Sequence, residues 1–120
     1  MTASLAQALL LYARRLIERG WCQGATARDA NGNSVPPWSL EARTWSVVGA
    51  FVAGYSQMRD GYSEMAEIVS DREPVFSAFH EANLALLAAI GEELQPWNDA
   101  PSRTQEDVYN AFTRAIDHLD

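Results

Sequence analysis

The sequence predicts a mainly α fold, a compact bundle of four to five helices with a small loop or β-hairpin insertion after the first helix. Apolar residues recur at three- and four-residue steps along most of the chain, whereas residues 21–37 lack this period. The 120 residues, 48% hydrophobic and 21% charged, suit one globular domain spanning residues 1–120. An α+β domain with a true sheet in place of the hairpin is the alternative.

The first helix is predicted between Ser4 and Arg19. Ser4 is a good N-cap, and Gly20 would supply a left-handed stop. In the insertion that follows, Asn31-Gly32 favours a tight turn that would pair Ala25 to Arg28 with Asn33 to Val35.

The second helix is predicted from Ser39 to about Gly54, with Trp45 on its buried side, as the central helix of the bundle. Gly49 weakens a helix interior, so we expect it to allow close approach of a neighbouring element. Asp60-Gly61 then predicts a turn.

A short helix is predicted over Ser63 to Val69, and a longer one from Pro74 to about Leu94, which Gln95-Pro96 would end. The last helix is predicted over Gln105 to His118. Thr104 and Asp107 resemble a capping box at its start.

Charge and cysteine usage limit the possible functions. The net charge of -7 comes with no lysine, so it disfavours nucleic-acid binding and leaves a protein partner with a basic surface as an expectation. One cysteine, Cys22, permits no internal disulfide. Without a signal peptide or a membrane-length apolar run, we expect a cytoplasmic protein without membrane contact. Glycine-rich phosphate loops are missing from the sequence, so no cofactor is predicted.

Candidate chemistry is sparse. Cys22 with His80 or His118 as base, and Asn98 or Asp99 as orienting group, would supply a cysteine hydrolase, but Cys22 follows a helix end rather than a helix start. A group of acidic residues near one histidine could suggest a carboxylate metal site, but the sequence holds no Glu-x-x-His pair. We therefore interpret these residues as parts of solvent-exposed helix faces. That group is Glu64, Glu67, Asp71, Glu73 and His80. No catalytic residue and no metal ligand is assigned.

Two stretches carry a family resemblance. Gly20 to Gly24 reads G-W-x-Q-G, and Trp97 to Thr104 reads W-N-D-x-P-x-R-T. Together with Arg43 to Ala50 they resemble a family of small bacterial and phage-associated proteins whose domain has no assigned function. Ser46 stands where that family is expected to have a cysteine. The resemblance implies no activity, substrate or cofactor.

Two functional hypotheses follow. The first is a non-enzymatic protein-interaction protein, an inhibitor or accessory protein of a bacterium or mobile element, able to form a homodimer through an exposed aromatic patch. Loop tryptophans Trp21, Trp38 and Trp97 would line its groove. The alternative is a small hydrolase or ligand-binding enzyme with its site between the Trp21 to Asp29 loop and the Trp97 to Thr104 turn. The candidate binding residues are Trp21, Gln23, Arg28, Trp97, Asn98, Asp99 and Arg103.

Overall fold

The computed structural model describes residues 4–65 and 73–120, with the side chains of all of these except 61–65, 73 and 74. Five helices and two short strands are present in this part of the chain, which confirms the mainly α prediction. In chain order they are α1 (Leu5–Arg19), β1 (Ala27–Arg28), β2 (Thr44–Trp45), α2 (Val47–Met65), α3 (Glu73–Ile90), α4 (Leu94–Asn98) and α5 (Gln105–His118). None of these helices is long and apolar enough to cross a membrane.

The centre of the bundle is α1, not the second helix as predicted. It packs against α2, α3 and α5, and its apolar stripe is wide enough to bury Leu9, Leu10 and Ile17 completely. Around this stripe lie fully buried side chains of the later helices, including Leu86 of α3 and Phe112 of α5. A helix that contacts three others needs a wide apolar stripe, and the buried apolar side chains of α1 form one.

The N-caps predicted for the first and last helices are confirmed. Ser4 and Gln7 exchange side-chain and backbone hydrogen bonds at the start of α1, and Thr104 and Asp107 do the same at the start of α5. The left-handed stop at Gly20 is wrong, because Gly20 has an extended φ of 177°. Glycine is needed there for space, since a Cβ would lie 2.5 Å from the carbonyl oxygen of Arg43.

The insertion after α1 pairs in part with a segment that the sequence did not suggest. The strand β1 lies antiparallel to β2, with Ala27 opposite Trp45. The predicted hairpin also exists in part: Arg28 forms an isolated antiparallel bridge with Ser34, and Val35 N–H donates to the Ala27 carbonyl at 3.0 Å. The result is a two-stranded sheet with a bridging third segment.

The second helix begins at Val47 rather than Ser39, because Thr44 and Trp45 are extended in β2. Ser46 marks the true start: its Oγ accepts a hydrogen bond from Gly49 N–H at 3.1 Å. The predicted turn at Asp60-Gly61 is wrong, since α2 continues to Met65. The predicted helix over residues 63–69 is therefore the end of α2 for residues 63–65, and residues 66–69 lie outside the described part.

Gly49 has the close neighbour that the sequence predicts. A Cβ at this position would overlap the carbonyl oxygen of Thr26. The same carbonyl accepts the Ser46 backbone N–H at 3.0 Å, so the insertion lies directly against the first turn of α2.

The third helix ends at Ile90 rather than at Leu94 as predicted. The next residue, Gly91, has a left-handed φ of 81°, which ends the helix. Pro96 does not end a helix as predicted. It lies inside the short helix α4, within the first turn, where a missing N–H costs little. Helix α4 therefore includes Trp97 and Asn98, which the sequence placed in a turn.

Candidate functional site

The two signature loops meet at Asn98, which is fully buried. Its Oδ1 accepts hydrogen bonds from Trp21 Nε1–H at 2.8 Å and from Val47 N–H at 3.0 Å. Its Nδ2 donates to the Cys22 carbonyl at 3.1 Å and to Asp99 Oδ1 at 3.0 Å. Two donors and two acceptor positions are all that an amide side chain has, so Asn98 is fully satisfied.

The seven predicted binding residues lie in and around this junction. We name the junction formed by these seven residues the clasp. They are Trp21, Gln23, Arg28, Trp97, Asn98, Asp99 and Arg103. Gln23 Nε2 donates to the carbonyls of Asn98 at 3.0 Å and Ala100 at 2.9 Å, so the first loop is bonded to the backbone of the second. The structure thus brings together the seven residues that the sequence suggested for binding.

Asp99 accepts hydrogen bonds from both sides of the clasp. Gly24 N–H donates to its Oδ1 at 3.0 Å, and Gln95 Nε2 donates to both carboxylate oxygens, at 3.1 and 3.2 Å. Partial burial opposes ionisation, but the hydrogen bonds from Gly24, Asn98 and Gln95, with the charge of Arg28, outweigh it and hold the Asp99 pKa below its ordinary value of 3.8. The ionised form of Asp99 is therefore the form that the hydrogen bonds of the clasp stabilise.

The two arginines of the clasp serve its backbone. Arg28 donates from Nη2 to the Gln23 carbonyl at 3.1 Å and from Nη1 to the Gly32 carbonyl at 3.0 Å. Arg103 donates from Nε to the Trp97 carbonyl at 2.8 Å, and its Cζ lies 4.0 Å from the centre of the Trp97 ring. Both guanidinium groups thus fix the shape of the loops.

Cys22 lies beside the clasp with its side chain buried. Burial raises the pKa of the Cys22 thiol above 9.0, and hydrogen bonding to Thr44 and the charge of Arg28 offset this only in part. The thiolate that a nucleophilic cysteine needs is therefore scarce at neutral pH. The two histidines considered as its base, His80 and His118, are exposed on α3 and α5.

The acidic residues considered for a metal site lie outside the part of the chain whose side chains are described. Glu67 and Asp71 fall outside the described residues, and Glu64 and Glu73 lie in helix ends without described side chains. Among the described side chains, no group of three or more His, Cys, Asp or Glu is placed to hold a metal ion.

A second candidate site, an open groove of about 640 Å³, lies away from the seven clasp residues. We name it the α1–α2 groove. Its lining comes from α1, from residues 37–43, from Trp45 in β2 and from the part of α2 between residues 52 and 60. This volume is in the range of sites that bind small molecules or short chain segments.

Large apolar side chains line the α1–α2 groove and remain in contact with solvent. Leu40 is 96% exposed and Trp38 is 62% exposed, and Tyr12 of α1 is 40% exposed. Of the three loop tryptophans that the sequence suggested for a groove, only Trp38 lines this one, because Trp97 is buried and Trp21 is bonded to Asn98. Leu40 was missed, because the sequence placed it in the first turn of a predicted helix rather than in an exposed loop.

The clasp and the groove are joined through Trp45. Its backbone N–H donates to the Gly20 carbonyl and its carbonyl accepts from Cys22 N–H, both at 3.1 Å, which ties β2 to the first signature loop. Its indole Nε1–H donates to the Pro37 carbonyl at 3.2 Å, which holds the start of the groove loop. The clasp therefore positions one wall of the α1–α2 groove.

The fold and these two features define a small helical-bundle protein with an internally bonded loop junction and a separate open groove. The chain belongs to the family described as "Family of unknown function (DUF6197)", whose model matches residues 1–118. The match covers both signature loops and every helix described above. No curated protein and no solved structure matches the chain.

Proposed function

We propose that this protein is a non-enzymatic protein-interaction protein, and that the α1–α2 groove receives an apolar segment of its partner. The exposure of Leu40 and Trp38 carries the proposal. A leucine left 96% in solvent contributes nothing to its own fold, and tryptophan is among the residues most often found at the energetic centre of protein interfaces. An inhibitor or accessory role in a bacterium or mobile element is compatible with such a protein.

The loop that presents these side chains is held by its own hydrogen bonds. Ser39 N–H donates to the Pro36 carbonyl at 3.0 Å, and Ala42 N–H donates to the Ser39 carbonyl at 3.2 Å. Arg43 Nη1 donates to the Leu40 carbonyl at 3.0 Å. A loop already ordered in the free protein loses little entropy on binding, which favours affinity.

We assign the clasp a structural role in this proposal. Its amide, carboxylate and guanidinium groups are bonded to one another or to nearby carbonyls, which leaves the enzyme alternative, a small hydrolase or ligand-binding site between the two loops, with few groups to offer a substrate. The raised pKa of Cys22 weakens the nucleophilic version of that alternative further.

Affinity capture from a lysate of the source organism tests the proposal. Trp38→Ala and Leu40→Ser are expected to lose the captured partner, with an affinity loss of about 30-fold for the tryptophan if it is a central contact. Leu84→Ser, on the exposed face of α3 outside the groove, is the matched control for Leu40→Ser and should retain the partner.

Equal capture by wild type and both groove variants would show that the partner binds elsewhere. Light scattering on the same three variants separates partner binding from self-association through the groove, because a homodimer formed there would be lost in Trp38→Ala and kept in Leu84→Ser.

A further inference from the structure

The α1–α2 groove carries a charge opposite to that of the whole molecule. Three of the nine arginines of the chain line it, against one of the sixteen acidic residues, among the residues that the structure describes. The three are Arg19, Arg43 and Arg59, and the acidic residue is Asp60. A protein with a net charge of -7 thus has a groove whose described lining residues are predominantly positive.

Each of these arginines is exposed, and each has donors that make no bond to another described residue. Arg43 uses Nη1 for its bonds to the carbonyls of Leu40 and Ala42, and within the described part of the chain Nε and Nη2 make no further bond. Arg19 ends α1, and Arg59 lies 3.5 Å from Asp60 through Nε, with its Cζ 5.9 Å from the centre of the Tyr55 ring. An exposed pair of this kind is weak and easily exchanged.

We propose that the occupant of the α1–α2 groove is an acidic segment of a partner protein that carries an apolar anchor residue. This rests on the proposed function and deepens it by giving the chemistry of the partner. The anchor contacts Trp38 and Leu40, and the flanking carboxylates pair with Arg19, Arg43 and Arg59, because guanidinium groups bind carboxylates through two parallel hydrogen bonds.

Charge complementarity selects this occupant over others. The negative surface as a whole would attract a basic segment, but the three arginines would repel it from the groove. A concave surface concentrates the field of the charges that line it, so this local repulsion decides. The net charge of -7 would repel any part of a nucleic acid that extends beyond the groove, because few arginines are present to neutralise its phosphates. An acidic segment of a few residues stays within the positive region.

Selection from a display library of random short peptides tests the proposal with the intact protein. We expect enrichment of peptides that combine several Asp or Glu residues with one aromatic or aliphatic residue. The best peptide, labelled for fluorescence anisotropy, should bind Arg43→Glu about tenfold more weakly than wild type and the double variant Arg19→Glu/Arg43→Glu more weakly still. Its affinity should also fall as salt rises.

The matched control for Arg43→Glu is Arg114→Glu, which changes the net charge by the same amount at an exposed position of α5, a helix that does not line the groove. It should leave the affinity within about twofold, because salt screens charges that do not contact the peptide. Equal loss in Arg43→Glu and Arg114→Glu would mean that total charge, not the groove, attracts the peptide, and would overturn the proposal.

The outcomes separate this proposal from the function on which it rests. Peptides that lose binding in Trp38→Ala but are neutral or basic would overturn the acidic occupant and leave the groove as the binding site. Failure to enrich any peptide that depends on Trp38 would overturn both. Circular dichroism of each variant confirms that it is folded before its affinity is compared.

Discussion

At the residue scale, Asn98 is the side chain on which the junction of the two loops depends. Its partners Trp21 and Val47 lie 77 and 51 residues away in the chain. The sequence marks Asn98 and Asp99 as turn formers, which is a local property, and it brings no information about distant partners. The two signature stretches could therefore be picked out from the sequence, whereas their meeting at Asn98 and its hydrogen bonds could not.

Asn98→Asp is expected to lower the free energy of unfolding by about 3 kcal/mol. A carboxylate still accepts from Trp21 and Val47, but it cannot donate, so the Cys22 carbonyl loses its bond and a second negative charge faces Asp99. Urea unfolding measures the change. Asn110→Asp, the same substitution at an exposed position of α5, should change stability by less than about 0.5 kcal/mol. Equal effects of the two substitutions would contradict the role given to Asn98.

Asp99 is expected to make the stability of the clasp depend on pH. Its folded-state pKa lies below 3.8, so the unfolded chain takes up this proton first as the pH falls. The stabilisation is present in full above pH 3.8 and is lost as the pH falls through the folded-state pKa. The difference in unfolding free energy between wild type and Asp99→Asn should therefore shrink below about pH 4. A difference that stays constant from pH 6 to pH 3 would count against the carboxylate contacts.

At the scale of elements, prediction succeeded where the signals are local. The helices α1 and α5 begin at capping boxes of four residues, which can be read directly. The start of α2 was wrong because Thr44 and Trp45 are recruited into a strand by β1, a contact across many residues. Tertiary pairing of this kind overrides the helical spacing of the apolar residues.

Gly49→Ala and Gly54→Ala, at two positions of the same helix, are expected to differ in their effect on stability. At Gly49 a Cβ would overlap the rigid carbonyl of Thr26, so the substitution should destabilise by about 1–3 kcal/mol or more. At Gly54 the nearest atom is Leu9 Cδ1 at 3.0 Å, the far end of a side chain that can move. Removing a helical glycine gains up to about 1 kcal/mol, so Gly54→Ala should be neutral or stabilising.

Thermal unfolding of the two single variants checks this contrast. A neutral Gly49→Ala would mean that the insertion does not pack on the first turn of α2, which would also remove the support for the groove loop. The Gly54→Ala variant serves as the control for intrinsic helix propensity, since both positions lie within α2.

At the scale of the whole molecule, stability and the proposed binding surface lie in different places. The clasp holds buried, fully bonded groups, while the α1–α2 groove exposes large apolar and positively charged ones. The groove could not be predicted from the sequence, because it forms only when α1, the loop of residues 37–43 and α2 come together. Trp38 alone was suggested in advance, from its place in a loop.

The double variant Trp38→Ala/Leu40→Ser is expected to keep the unfolding free energy within about 0.5 kcal/mol of wild type, because both side chains are mostly in solvent. Asn98→Asp should act differently, since Asn98 accepts the first N–H of α2 and the clasp positions the groove loop through Trp45. Hydrogen exchange measured by mass spectrometry should then rise at the start of α2 and in residues 37–43 for Asn98→Asp, and stay at the wild-type rate in α2 for the groove variant. Faster exchange throughout α2 in the groove variant would show that Trp38 and Leu40 hold the fold together rather than await a partner.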